Sequence, residues 1–382
     1  MKNKIFTALL VLAFFPFALC SKELGNDRKT EASPEKRILM VVSSYGKDGG
    51  KTRPGFEFDE FSQAYLIFVA NGFAVDVASP RGGAVEADEF NKNKPYNKAL
   101  LTDEKALSLL KTTKPTASLN ATNYDAVYVV GGKGAMFDLP FDPALQELLA
   151  SVYNSKDGIV SAVCHGPAAL VNVKSSDGKY ILAGKTVSGF CNAEEEKFGK
   201  RWREEFPFML EDKLKARGGK YERAEMMLPH VSVSEKLITG QNPYSTNAVA
   251  EELVKALGKQ PATRTPYTDE RSMYLVKRAI AGELEWARAE LSKNKDLYDV
   301  ELIAVYGYYR LLGKTDDASV IRMGLNIVEL VTPYMYNENL QYEQARAYLR
   351  LQQKDRAKTL LQELVQKEPK FEEAKKLLRE VE

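Results

Sequence analysis

Apolar and polar positions along this chain fall into two regimes. Up to about residue 258, short apolar runs rich in β-branched residues alternate with stretches of helical periodicity. Residues 37–43 (RILMVVS), 73–78, 125–130 (DAVYVV), 159–163 (IVSAV), 185–189 and 237–240 read as buried strands. Residues 55–70, 102–110, 143–153 and 243–257 read as helices between them. Gly72 stops the first helix, and Gly/Pro clusters such as Ser79-Pro80-Arg81-Gly82-Gly83 follow the strands. Strand and helix repeated in this way predict a mainly parallel sheet with helices on both faces. Ligands of such a sheet sit beyond the carboxyl ends of its strands. Ser43, Gly131 and Cys164 all fall at such ends.

After Gly258 the pattern changes. Residues 259–269 hold two Pro, three Thr and no apolar periodicity, which predicts a linker crossed by few contacts. From about Ser272 to Glu382 the periodicity is helical throughout, giving a second domain over 270–382. Two units look alike. One runs from Tyr308-Tyr309-Arg310-Leu311-Leu312-Gly313-Lys314 through Asp317-Ala318 to Pro333, the other from Tyr348-Leu349-Arg350-Leu351-Gln352 through Arg356-Ala357 to Pro369. A small residue between paired helices, with Pro closing the unit, resembles the tetratricopeptide repeat. Leu311, Leu312, Ala318, Leu349, Leu351 and Ala357 are the expected apolar contacts. Such a region suits a protein partner, and a plain helical bundle docked on the first domain is the alternative.

Composition narrows the function. The 382 residues are 44% hydrophobic, enough for a sizeable core, and carry a net charge of +2. That balance argues against nucleic acid as a partner. Residues 1–4 are basic and residues 5–19 almost wholly apolar, too short to span a bilayer comfortably, so residues 1–20 read as an export signal. Cys20 followed by Ser21 and Lys22 favours a lipoprotein signal with a lipid on Cys20 as the membrane anchor. Cleavage at a small-x-small site using Ala18 and Cys20 is the competing reading. Residues 21–35 form a polar tether, and the expected location is the bacterial periplasm, free or lipid-anchored. With Cys20 set aside, Cys164 and Cys191 make no disulfide framework. Two His and no CxxC or HExxH motif leave no metal site and no cofactor to expect.

The candidate chemistry lies in Ile159-Val160-Ser161-Ala162-Val163-Cys164-His165-Gly166-Pro167. A strand runs into Cys-His-Gly-Pro and then into Ala168-Ala169-Leu170-Val171, read as the start of a helix. Cys164 therefore sits on a sharp strand-to-helix turn, the geometry of a nucleophile elbow. The turn pushes the sulfur out of the sheet, and a helix N-terminus favours a low-pKa thiolate. A backbone N–H just beyond it can hold a developing oxyanion. A buried, inert structural Cys is the bland alternative.

Several further motifs stand in order: Gly55-Phe56-Glu57-Phe58-Asp59-Glu60, Ala78-Ser79-Pro80, Gly131-Gly132-x-Gly134 with Phe137-Asp138-x-Pro140, and Leu237-Ile238-Thr239-Gly240-Gln241-Asn242-Pro243. With AVCHGPAAL they make residues 36–258 resemble the DJ/PfpI superfamily, which shares the fold of class I glutamine amidotransferases. The nearest branch is the glyoxalase III-like, stress-chaperone one. The resemblance implies a flavodoxin-like three-layer sandwich with Cys164 as nucleophile and His165 beside it. It also implies Glu60 against the sulfur, Glu195 orienting the His, and an oxyanion hole from the N–H groups of Gly132 and His165. Which of Glu194, Glu195 and Glu196 faces the site is open to a residue either way. The implied activity is conversion of methylglyoxal or a similar 2-oxoaldehyde to a 2-hydroxy acid without metal or glutathione. A cysteine amidase or peptidase, or a stress-related binding protein, is the alternative, and the chain can be oligomeric. Lys133 stands where many relatives carry His. It is a loop charge or a pocket cation for an anionic substrate. Cys191 reads as a small core residue, with a resolving thiol the minor alternative, and His230 as a loop or core histidine.

Overall fold

The computed structural model describes residues 36–313 and 317–382. The export-signal and tether readings, the lipid on Cys20 and the position of Lys314 lie outside them.

The first region runs β1 (Arg37–Val41), α1 (Phe58–Ala70), β2 (Ala74–Ser79), α2 (Pro95–Leu101), α3 (Glu104–Lys111), β3 (Lys114–Pro115), β4 (Ala126–Val129), α4 (Pro143–Asn154) and β5 (Ile159–Val163). It continues with β6 (Thr186–Val187), α5 (Asn192–Phe198), α6 (Trp202–Glu205), α7 (Leu210–Ala216), β7 (Lys220–Tyr221), β8 (Val231–Ser234), β9 (Leu237–Gly240) and α8 (Thr246–Ala256). Seven strands form one sheet in the order β3-β2-β1-β4-β5-β9-β8. All neighbours are parallel except β8 and β9. Continuous apolar runs form its middle because helices cover both faces, and every residue of β4 and β5 is buried. Capping is local: Pro143 opens α4 and the Asp142 carboxylate accepts from the N–H groups of Ala144 and Leu145.

Strand order reverses beside β1, with β2 and β3 on one side and β4, β5 and β9 on the other. Such a switch point opens a crevice at the carboxyl ends of the strands. The loops after β1, β4 and β5 meet there.

Several expectations are corrected. Residues 185–189 do not join the main sheet; β6 pairs with β7 in a separate ladder, because the run is too short to compete for a central place. The helix expected after Cys164 is a 3₁₀ turn over Gly166–Leu170, with Pro167 in its first turn. β8, α5 and α7 were not read from the sequence; each spans seven residues or fewer.

The second region is all helical: α9 (Thr268–Ile280), α10 (Leu284–Asn294), α11 (Val300–Leu311), α12 (Ala318–Val331), α13 (Glu338–Arg350), α14 (Lys354–Lys367) and α15 (Glu372–Val381). Leu311 and Ala357 are buried, and Leu349 and Leu351 pack against the core as expected. Leu312 and Ala318 are exposed instead, because they flank the turn between α11 and α12. The close helix crossing uses glycine: a Cβ on Gly307 would lie 2.8 Å from Val328 Cγ2, and one on Gly324 2.9 Å from Leu311 Cδ2.

The connecting segment is not the loosely held linker its composition predicts. Lys259 Nζ donates to the Asn71 carbonyl (2.7 Å), and the Ala262 N–H donates to Asn71 Oδ1 (2.8 Å). Arg264 grips Glu270 with two 2.6 Å bonds and Glu251 with one of 2.8 Å. Tyr96 donates to Asp269 (2.7 Å). The apolar core of the helices takes in Leu228 and packs on Ala224, Met227 and Tyr244 of the first region. Side chains rather than apolar periodicity hold this segment, which is why its pattern hid the contacts.

Candidate active site

Cys164 follows β5 directly and has φ +59°, a left-handed conformation that costs a non-glycine residue roughly 1–2 kcal/mol. Neighbouring strands impose it. The Cys164 N–H donates to the Gly240 carbonyl (3.0 Å), and its own carbonyl accepts from the Phe190 N–H (2.8 Å). Two residues on, the chain passes so close to β4 that a Cβ on Gly166 would lie 2.4 Å from the Val129 carbonyl oxygen. The expected elbow is present.

His165 Nδ1 lies 3.4 Å from Cys164 Sγ, and His165 Nε2 lies 2.5 Å from Glu195 Oε1. A carboxylate can only accept, so it fixes the hydrogen on Nε2 and turns the Nδ1 lone pair to the thiol. Of the three consecutive carboxylates, Glu195 is the one in the site. Glu196 is exposed. Glu194, weighed as an alternative to Glu195, has a structural role instead: it accepts from the N–H groups of Cys191 (2.9 Å) and Met227 (2.7 Å) and from Gln241 (3.0 Å) and Asn242 (2.9 Å). It ties α5 to the β9–α8 loop. The motif Leu237 to Pro243 carried that signal in its Gln-Asn pair.

Glu60, on the first turn of α1, is fully buried. Its Oε2 accepts from the Gly131 N–H (2.7 Å). Burial, with Glu57 adding, raises its carboxyl well above the usual range. Among the described residues its Oε1 is buried with no hydrogen-bond partner, and the carboxyl as a whole interacts with the Cys164 thiol. Because Oε2 already accepts from Gly131, a protonated Glu60 carries its hydrogen on Oε1. The low-pKa expectation for Cys164 is corrected: burial first, then the negative charge of Glu60, pushes the thiol up. The cause is the near-complete enclosure of the sulfur among carboxyl groups, Glu57 and Glu194 adding to Glu60. Sulfur and carboxyl compete for one negative charge, so protonating Glu60 is what permits a thiolate.

Gly131 and Gly132 press on this pair. A Cβ on Gly131 would lie 2.6 Å from Glu60 Oε2 and 2.8 Å from Cys164 Cβ. Gly132 has φ +94°, and a Cβ there would meet Glu57 N at 2.4 Å. Among the described residues, the N–H groups of Gly132 and His165 have no hydrogen-bond partner. Lys133 is half-buried, and its charge opposes the upward shifts of Glu57, held at about 7 mainly by burial, and of Asp88. Aromatic rings wall the His: Phe190 at 4.6 Å and Phe206 at 5.8 Å between centroids. Phe206 adjoins Phe137, which stacks on Tyr45 at 4.6 Å. The row was invisible in sequence because it draws on separate loops. Cys164 is 3% exposed and His165 2%. Cavities of about 510 and 530 Å³ lie away from this site, beside α11 and along the connecting segment.

The remaining candidates lie outside this cluster. Cys191 caps α5, is buried, and is pushed up to about 12 by burial and then Glu194. It and Cys164 are both free thiols. His230 is half-buried beside Ser232 (3.3 Å) and Glu222 (3.9 Å), and burial lowers its pKa. Among the described residues, no group of three His, Cys, Asp or Glu side chains is placed to hold a metal ion.

The DJ-1/PfpI family model matches residues 52–256. The chain belongs to the DJ-1/PfpI family. Within that family it is similar to the glutathione-independent glyoxalase hsp3102 of Schizosaccharomyces pombe, 33% identical over 247 residues that take in 58% of this chain and 98% of that one. It is also similar to the glutathione-independent glyoxalase HSP31 of Saccharomyces cerevisiae, 29% identical over 58% of this chain and 98% of that protein. Among solved structures, the Rapid Encystment Protein 24 KDa of Francisella tularensis matches with a TM-score of 0.55 at 32% identity, covering 59% of this chain and all of that one. Glyoxalase III of Candida albicans matches at 0.53 and 25% identity, over 58% of this chain and 97% of that one. All four likenesses leave more than a third of this chain uncovered, and the family match ends before the helical region.

Proposed function

We propose that this DJ-1/PfpI protein is a glutathione-independent glyoxalase that converts methylglyoxal or a related 2-oxoaldehyde to a 2-hydroxy acid. The observation that carries the reading is the meeting of Cys164, His165, Glu195 and the raised carboxyl of Glu60 in one almost fully buried cluster. His165 takes the thiol proton as sulfur bonds to the aldehyde carbon. The oxygen that becomes negative is held by the N–H groups of Gly132 and His165. The aldehyde hydrogen then moves as a proton to the neighbouring carbon through an enediol, carried by Glu60 and His165. The resulting thioester takes up water, releasing the hydroxy acid and the thiol. Oxidation of one carbon balances reduction of the other, so the sequence needs no outside oxidant. Enclosure of the sulfur favours this small substrate over a peptide. The experiment is turnover of methylglyoxal without glutathione, following the 2-hydroxy acid, beside a peptide-amide control. Amide hydrolysis with no hydroxy acid would overturn the proposal.

The finer features belong to the same proposal. Lys133 attracts the carboxylate of the product. Residues 36–258 act as the catalytic domain and 270–382 as a tetratricopeptide-like domain for a protein partner. Residues 1–20 direct export, with Cys20 lipidated; palmitate labelling lost in Cys20→Ser is the expected result.

A further inference from the structure

Helix α5 is anchored at two points one turn apart. It carries Glu195, bonded to His165. Phe198, three residues on and so on much the same face, meets Tyr309 of α11 edge to face, with ring centroids 5.8 Å apart at 71°. The next residue of α11, Arg310, reaches back across the same seam to Glu225 (2.9 Å). Glu225 leads into Met226 and Met227, and the Met227 N–H donates to Glu194 of α5 (2.7 Å). Between these contacts lies an apolar cavity of about 90 Å³, lined by Phe198, Met226, Met227, Tyr306 and Tyr309 among others. The seam is therefore not close-packed, and the ring and the ion pair carry more of the restraint on α5 than a filled interface would leave to them.

We propose that Tyr309 is a positioning residue for the candidate active site: from the helical region it sets α5, and through α5 the distance between Glu195 and His165. This rests on the reading of Cys164, His165 and Glu195 as the reactive group. A short carboxylate–imidazole bond is sensitive to displacement of its helix, and small misplacements far from the chemistry carry large rate effects. Tyr309 touches no substrate, so its loss acts on the chemical step and leaves substrate binding unchanged.

The experiment uses the full chain. Rates of iodoacetamide labelling of Cys164 and of Cys191 are read by mass spectrometry near neutral pH, beside kcat and KM for methylglyoxal. Tyr309→Ala is expected to slow Cys164 labelling and kcat together by roughly three- to tenfold, the worth of an aromatic pair, with KM within twofold. Tyr309→Phe keeps the ring and restores both. Should Tyr309→Ala melt near the assay temperature, Tyr309→Leu, which keeps apolar bulk without a ring edge, takes its place with the same expectation. Labelling and kcat both at wild-type values in a folded variant overturn the proposal, as does a loss that Tyr309→Phe fails to restore. A wild-type Cys164 no more reactive than Cys191 overturns the site reading itself, and the positioning role with it.

Discussion

Glu60→Gln separates the chemistry of the site from the stability of the fold, and the two should move in opposite directions. The amide is nearly isosteric. Its oxygen can replace Oε2 as acceptor for the Gly131 N–H at 2.7 Å, which places its NH₂ on the side of Oε1, in the carboxyl that interacts with the Cys164 thiol. That NH₂ can donate to a thiolate but cannot release a proton. Turnover of methylglyoxal should therefore fall by roughly 10²–10⁴-fold, the usual worth of a positioned acid or base, while Cys164 stays open to alkylation. Stability should rise. Burial lifts the folded-state pKa of Glu60 above its unfolded value, so the folded protein holds this proton where the unfolded chain has lost it. Wild-type stability is then complete below the ordinary carboxyl range and declines as pH climbs toward the folded pKa, by up to about 1.4 kcal/mol per pH unit of that window. The amide carries no such penalty. Denaturant melts should superimpose near pH 4, and the variant should unfold at higher denaturant at pH 8. Activity within a few-fold of wild type would refute the proton-carrying role. A variant less stable than wild type at pH 8 would refute the burial argument.

Three further outcomes are expected. Cys164→Ala should fold and lose all turnover, and Cys164→Gly should be more stable than Cys164→Ala by about 1 kcal/mol, because glycine accepts the positive φ without strain; paired thermal melts check this. Glu195→Gln should lower kcat and Cys164 alkylation together, since an amide can set the wrong imidazole hydrogen, whereas Glu194→Gln should lose roughly 1–3 kcal/mol of stability by placing an NH₂ among four donors. Gly132→Ala should destabilise the fold and reduce turnover, because its Cβ would meet backbone at 2.4–2.7 Å in a positive-φ position; a melt unchanged within error would contradict the close approach.

How legible each part was follows from where its signal lies. Cys164 could be read from a few residues, because strand, Cys-His and Gly-Pro all act within one turn. The central strands were equally plain, since β4 and β5 are apolar without interruption. Glu60 and Glu195 were not readable by chemistry alone. Each shares a helix with other carboxylates, and only the fold decides that Glu60 is buried while Asp59 pairs with Lys94 (2.6 Å), or that Glu195 rather than Glu196 turns inward. Resemblance supplied those two positions. The direction of the thiol shift was misread because it is a property of enclosure, which no local run of residues reports. α5 and α7 went unread for a related reason: seven residues cannot sustain a helix unaided, and tertiary contacts hold them.

The outer strand β3 has one more consequence, for how copies of this chain can associate. It contributes two residues to the sheet, Lys114 and Pro115. Both are exposed, one side chain is charged, and the other residue has no N–H to give an incoming strand. That border is closed to growth by strand addition. A dimer that continued the sheet from one molecule into the next would have to form on the opposite border, at β8. Any other assembly must use the β6–β7 ladder, helix faces or loops. Partial unfolding under heat would likewise expose no ready template along β3, so the first strand-paired aggregates should carry amide protection at β8 and none at β3.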